Sequence, residues 1–127
     1  MQNTRNFDCL ISAVQLSNRL DDNALRVYDC RFSLFDKEKG YSAYLSGHIP
    51  GASYVHLEND LSGPVTPRTG RHPIPKVDLF IERLGALGLK RENMVVIYDE
   101  GPSAQAARFW WLLRWVGHEN VAVLDGG

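Results

Sequence analysis

The first place to look for chemistry in this chain is where an apolar run ends in a short polar turn and a helix begins. Met94-Val95-Val96-Ile97-Tyr98 is such a run, and Asp99-Glu100-Gly101-Pro102 is the turn. Ser103 can cap a helix over Ala104–Val116, which Gly117 closes. In open α/β sheets, ligands gather beyond the carboxyl ends of the strands. A loop entering a helix there offers converging N–H groups that suit an anion or a thiolate. A cysteine opening such a loop would have a lowered pKa and act as a nucleophile. The position holds Asp99 instead. A carboxylate can be held by the same N–H groups, but it lacks the sulfur nucleophile of a thiolate. Asp99 therefore reads as a turn or capping residue.

The chain has two cysteines, Cys9 and Cys30. Cys30 follows a strand and precedes Arg31, whose charge would lower its pKa somewhat. It lacks a following loop-to-helix cradle, so a buried, inert thiol is expected. A nucleophilic Cys30 stays open as an alternative, to be tested by Cys30→Ser. Cys9 lies at the exposed start of the domain. No Cys/His pair has zinc-ligand spacing, and neither metal nor cofactor is expected. Arg31, Arg68 and Arg71 could draw an anion toward a cleft or be solvated surface residues. Arg108 could bond Asp99 or loop carbonyls and hold the loop shape. Trp110, Trp111 and Trp115 lie on one helix, with Trp111 and Trp115 spaced by four on a shared face. They read as core or domain-interface residues, given the area an aromatic side chain buries.

The elements that must position these residues alternate between strand and helix. Leu10-Ile11-Ser12 reads as a short strand leading to a cap. Val14, Leu16 and Leu20 give an apolar helical face, stopped by Asp21-Asp22-Asn23. Leu25-Arg26-Val27-Tyr28 is a strand. From Asp29 to about Pro75 the sequence is irregular and rich in Gly and Pro, with Ala52-Ser53-Tyr54-Val55 as a candidate strand; so long a loop is functional or carries short helices. Val77–Leu87 has helical spacing at Val77, Phe80, Ile81 and Leu84, ended by Gly85 and Gly88. Met94–Tyr98 and Val121-Ala122-Val123-Leu124 are runs fit for strands covered on both faces. The alternation predicts an α/β domain with a mostly parallel sheet. The sequence stops at Asp125-Gly126-Gly127, just after a strand, where a covering helix is expected. A segment cut from a longer protein accounts for that; so does an edge strand that needs no cover.

Composition narrows the function classes. At 127 residues with 44% hydrophobic and 23% charged residues, the chain is expected to form one globular domain over 1–127. A net charge of −1 argues against a nucleic-acid partner. No apolar run reaches the roughly 20 residues a membrane span needs, and the polar start has no signal-peptide core. A cytoplasmic location is expected.

Five motifs, in order, resemble the rhodanese superfamily: Gly47-His48-Ile49-Pro50-Gly51-Ala52, Gly70-Arg71-His72-Pro73-Ile74-Pro75, Val96-Ile97-Tyr98-Asp99, Ala107-Arg108-Phe109-Trp110-Trp111 and Leu124-Asp125-Gly126-Gly127. The likeness runs from about Leu10 to Gly127. It is greatest to the N-terminal domain of tandem thiosulfate and 3-mercaptopyruvate sulfurtransferases. The resemblance implies a rhodanese-like sheet with helices on both faces, lacking its last helix here. It also implies a nucleophilic cysteine in a second, C-terminal rhodanese domain. Asp99 then stands at the nucleophile position of the first domain. His48 is implied to be structural. By motif position, His72 and Glu58 resemble a histidine and an acidic residue that face the second domain's cysteine loop. A carboxylate can orient an imidazole that moves protons to or from a bound thiol. Arg71 gains a donor-binding role from its motif.

The implied activity is transfer of sulfane sulfur from thiosulfate or 3-mercaptopyruvate to a thiophilic acceptor such as cyanide or a thiol. This segment would be inactive alone. A stand-alone, catalytically dead rhodanese-like module that regulates a partner is the competing class.

Overall fold

The computed structural model describes residues 10–33, 36, 38–63, 74–100 and 104–124. Five strands form one sheet: β1 (Leu10–Ile11), β2 (Leu25–Asp29), β3 (Ser53–Tyr54), β4 (Met94–Tyr98) and β5 (Val121–Leu124). Their order is β1-β5-β4-β2-β3, and every pairing is parallel. The helices are α1 (Ala13–Ser17), α2 (Lys39–Ser46), α3 (Leu57–Asp60), α4 (Val77–Ala86) and α5 (Ala104–Trp115). The expected α/β class with a mostly parallel sheet is the fold observed.

Strand alternation builds two cores. Tyr28, Val95, Ile97, Val121 and Val123 face α4 and α5, packing on Phe80, Leu84, Phe109, Leu112 and Leu113. Leu25, Val27, Met94, Val96, Tyr98, Ala122 and Leu124 face the other way, toward Leu16 of α1. Helices therefore cover both faces. β4 lies at the centre of the sheet with all five residues buried, which is why its sequence is an unbroken apolar run rather than an alternation.

Helix ends follow local chemistry. Ser12 Oγ accepts from Gln15 N at 3.1 Å, and Gln15 Oε1 accepts from Ser12 N at 2.9 Å. This reciprocal capping box starts α1. Gly88 and Gly117 take positive φ just past α4 and α5, as expected of αL residues that end helices. Ser103 lies outside the described residues.

Two expectations change, and that of short elements in the long irregular stretch holds. Val14 does not contribute to the face of α1; it is 70% exposed, and Leu16 alone anchors the helix. Only Phe80 and Leu84 of the α4 stripe are buried, while Val77 and Ile81 remain exposed. The long irregular stretch contains α2, β3 and α3. α2 begins where Gly40 lies against the Arg31 carbonyl so closely that a Cβ there would overlap it.

Candidate active site at the carboxyl edge of the sheet

β2 and β4 are paired neighbours, and both close on the dipeptide Tyr-Asp: Tyr28-Asp29 and Tyr98-Asp99. Asp29 is fully buried and Asp99 is 3% exposed. Such carboxylates need partners, because an unpaired charge is costly to take out of water. Asp29 lies on the Tyr98 face of the sheet. It accepts from Arg31 through the backbone N at 2.9 Å and through Nε and Nη2, the latter at 2.6 Å. It also accepts from Tyr98 Oη at 3.0 Å. Its hydrogen bond raises the Arg31 pKa further. Arg31 Nη2 donates to the Gly47 carbonyl at 2.6 Å, and Ile49 N donates to Tyr98 Oη at 3.1 Å. The turn 47–51 is thus stitched to the ends of both strands. Arg31 is committed to this network rather than standing free to capture an anion.

Asp99 points to the other face. Its Oδ2 accepts from Ala106 N at 2.9 Å, in the first turn of α5. It holds the positive end of the helix, the place where a thiolate would otherwise be stabilised. Arg108 of α5 donates twice to the Leu61 carbonyl, at 3.2 and 3.0 Å, and so ties α5 to the end of α3.

Cys30 follows Asp29 and is 1% exposed. Burial pushes its thiol well up, and the Asp29, Asp99 and Asp60 carboxylates push it further in the same direction. This is the reverse of what a nucleophilic thiolate requires. His48 bonds locally, with Nδ1 2.8 Å from the Tyr44 carbonyl and its ring stacked on Tyr44 at 4.0 Å. Trp111 and Trp115 stack at 5.9 Å on the shared face of α5. They are 48% and 41% exposed, so neither is a core residue. Trp110 packs partly against the core, with Arg114 over its ring.

His72, Arg71, Arg68 and Cys9 lie outside the described residues, as does the side chain of Glu58. The backbone of Glu58 belongs to α3, which starts directly after β3 and therefore sits at the carboxyl edge. One imidazole at this edge has no motif to mark it in the sequence. His56 is the second residue past β3, its ring edge-on to Phe32 at 5.5 Å and to Tyr54 at 6.2 Å. Its backbone N donates to Asp60 Oδ2 at 2.8 Å. Its position just after the candidate strand Ala52–Val55 was the available signal. Among the described residues no cluster of three or more His, Cys, Asp or Glu could hold a metal ion, and no helix is long and apolar enough to cross a membrane.

Comparison with known proteins decides the family. The family model described as a rhodanese-like domain matches residues 12–127. The chain belongs to the rhodanese-like family. This domain is 49% identical over 120 residues to a probable 3-mercaptopyruvate sulfurtransferase of Pseudomonas aeruginosa, covering 93% of this chain and 42% of that protein. It is 34% identical over 120 residues to thiosulfate/3-mercaptopyruvate sulfurtransferase 2 of Arabidopsis thaliana, covering 93% of this chain and 34% of the relative. Among solved structures, 3-mercaptopyruvate sulfurtransferase from Leishmania major superposes with a TM-score of 0.84 at 31% identity, over 93% of this chain and 32% of the other. The rhodanese-like domain thus spans less than half the length of these relatives, all of which are described as sulfurtransferases.

Proposed function

We propose that this domain is the non-nucleophilic first half of a sulfurtransferase whose second rhodanese-like domain carries the reactive cysteine. The observation that carries the reading is the state of the carboxyl edge. Asp99 fills the helix-capping position after β4, and Cys30 is buried with its thiol pushed up. A persulfide therefore has to form on a cysteine outside the described residues. The size of the relatives, more than twice the matched span, supports a second domain as its source.

In the proposed reaction the second domain's thiolate attacks the outer sulfur of thiosulfate, and the S–S bond breaks to release sulfite. With 3-mercaptopyruvate the thiolate attacks the donor sulfur and the C–S bond breaks. The electron pair stays on carbon as the enolate of pyruvate, and a proton must reach that carbon. The persulfide then gives its outer sulfur to cyanide, forming thiocyanate, or to a thiol. This domain supplies one wall of the cleft. His72, oriented by Glu58, carries the proton from the donor thiol to the carbon that sulfur leaves. Arg71 pairs with the anionic donor. Alone, the domain is inactive.

The test is sulfur transfer by the full-length parent carrying His72→Ala, assayed with cyanide as acceptor. Turnover with 3-mercaptopyruvate is expected to fall by about 100-fold or more, the usual scale for losing a general acid–base group. Unchanged turnover across several pH values would remove His72 from the mechanism. Clear turnover by residues 1–127 alone, abolished by Cys30→Ser, would overturn the assignment of this half as non-nucleophilic.

A further inference from the structure

The amino edge of the sheet, about 13 Å from the carboxyl edge along β4, carries an opening of its own. A groove of about 360 Å³ lies between the C-terminal ends of α4 and α5, within the size range of small-ligand sites. Leu84, Leu89 and Val116 line it, and all three belong to the core or pack against it. Its floor is therefore apolar. Ile81 stands beside them, 51% exposed. The ionisable groups of the lining are Lys90, Arg91 and His118, with no carboxylate among them.

One buried residue fixes these groups in place. Asn93 is 3% exposed. Its Oδ1 accepts from Lys90 N at 2.7 Å, and its backbone N donates to the Lys90 carbonyl at 3.0 Å. Its own carbonyl lies 2.9 Å from His118 Nε2. A carbonyl only accepts, so Nε2 carries the hydrogen. Burial, partly offset by that bond, holds His118 below the ordinary histidine pKa. The charge of the groove therefore rests on Lys90 and Arg91. Arg26, Arg31, Arg83 and Arg108 each bond a carbonyl or a carboxylate. The side chains of Lys90 and Arg91 have no such partner among the described residues. The helix ends do not require them either. Leu89 N donates to the Leu84 carbonyl, Gly88 N to Gly85, His118 N to Leu113 and Gly117 N to Arg114, so N–H groups already cap the last carbonyls.

We propose that this groove binds a small organic anion with an apolar body, a carboxylate carried on a hydrocarbon chain. The carboxylate pairs with Lys90 and Arg91, and the chain covers Leu84, Leu89 and Val116. The site lies at the opposite edge of the sheet from Asp99 and does not depend on the sulfur transfer proposed above.

Octanoate is the probe, titrated into the purified protein and followed by amide chemical shifts. A ligand of about ten non-hydrogen atoms is expected to bind with a Kd of about 1–10 mM, with saturable shifts at Leu89, Lys90, Arg91, Val116 and His118. Acetate has the charge without the chain. It is expected to bind at least about tenfold more weakly, a factor that two buried methylene groups supply. Lys90→Gln combined with Arg91→Gln is expected to weaken octanoate by about tenfold. Both side chains are exposed, so the fold is retained. Ile81→Glu is expected to act in the same direction by setting a carboxylate against the bound one. Absence of saturable shifts at these residues overturns the proposal, as do shifts confined to the carboxyl edge. Equal binding of acetate would reveal a counter-ion on two cations, and undiminished octanoate binding in both variants would reveal an apolar surface alone. Either result overturns the proposal.

Discussion

β2 ends in Tyr28-Asp29, its paired neighbour β4 ends at Tyr98 with Asp99 just beyond it, and the two aspartates are spent in different ways. Asp29 is paired with an arginine and accepts from a tyrosine, and through them it holds the turn 47–51. Asp99 accepts a backbone N–H and caps a helix. Strand parity accounts for the split. Asp29 shares a face with Val27 and Tyr98, where the chain returns as a turn, while Asp99 shares a face with Val95 and Ile97, where α5 begins. Identical local sequence thus meets a charged partner on one face and a dipole on the other. Both carboxylates are used for architecture: one fixes a turn and the other a helix start.

The largest expected effect in this comparison is from Asp29→Ala. It strands Arg31 and removes the acceptor of Tyr98, and losing one member of a buried pair costs about 3–5 kcal/mol. Urea unfolding of the domain measures it. Asp99→Ala is expected to cost less, about 0.5–2 kcal/mol for a lost helix cap. Equal losses would mean that the two carboxylates are energetically alike and that the contrast is only geometric.

A finer distinction comes from the tyrosines beside them. Burial pushes Tyr28 and Tyr98 each to about 12. An unfolded tyrosine ionises near 10, so the stability each contributes is complete below about pH 10. That stability is lost as pH rises through about 12. For Tyr98, the Asp29 carboxylate adds to burial, against the opposing Ile49 N–H; for Tyr28, Arg26 opposes burial. Burial and then the Asp29 carboxylate also raise Tyr54, so in Asp29→Asn ultraviolet titration should show two tyrosines ionising at lower pH, and adding Tyr98→Phe should remove one of the two early steps. If both steps persist in the double variant, the coupling between Asp29 and Tyr98 is absent.

The parts of this molecule legible in its sequence are those where one physical cause dominates. β4 announces itself because a central strand is apolar on both faces, and the Ser12 cap because a hydroxyl precedes a helical pattern. α2 stayed hidden. Its large apolar residues Tyr41 and Leu45 are exposed, and its buried position is Gly40, so no stripe exists to be read. Val14, Val77 and Ile81 misled for the converse reason: they keep helical spacing without being buried. At the site, the commitment of Arg31 and Asp29 to each other required knowing the partner strand. His56 was within reach, one step past a strand that the residues did suggest.

The pairing of β1 with β5 carries a consequence for how the domain is made. Leu10 sits beside Val123 and Ile11 beside Leu124, so among the described residues the strand earliest in sequence pairs with the one latest in sequence. β5 also fills the gap between β1 and β4. Until residues 121–124 have emerged, β1 has no neighbour and β4 keeps an open side. The sheet cannot be completed in the order of synthesis. Closing it spans nearly the whole chain, the long-range kind of contact that slows folding. During that interval the apolar side of β4 is open to any other strand that reaches it first.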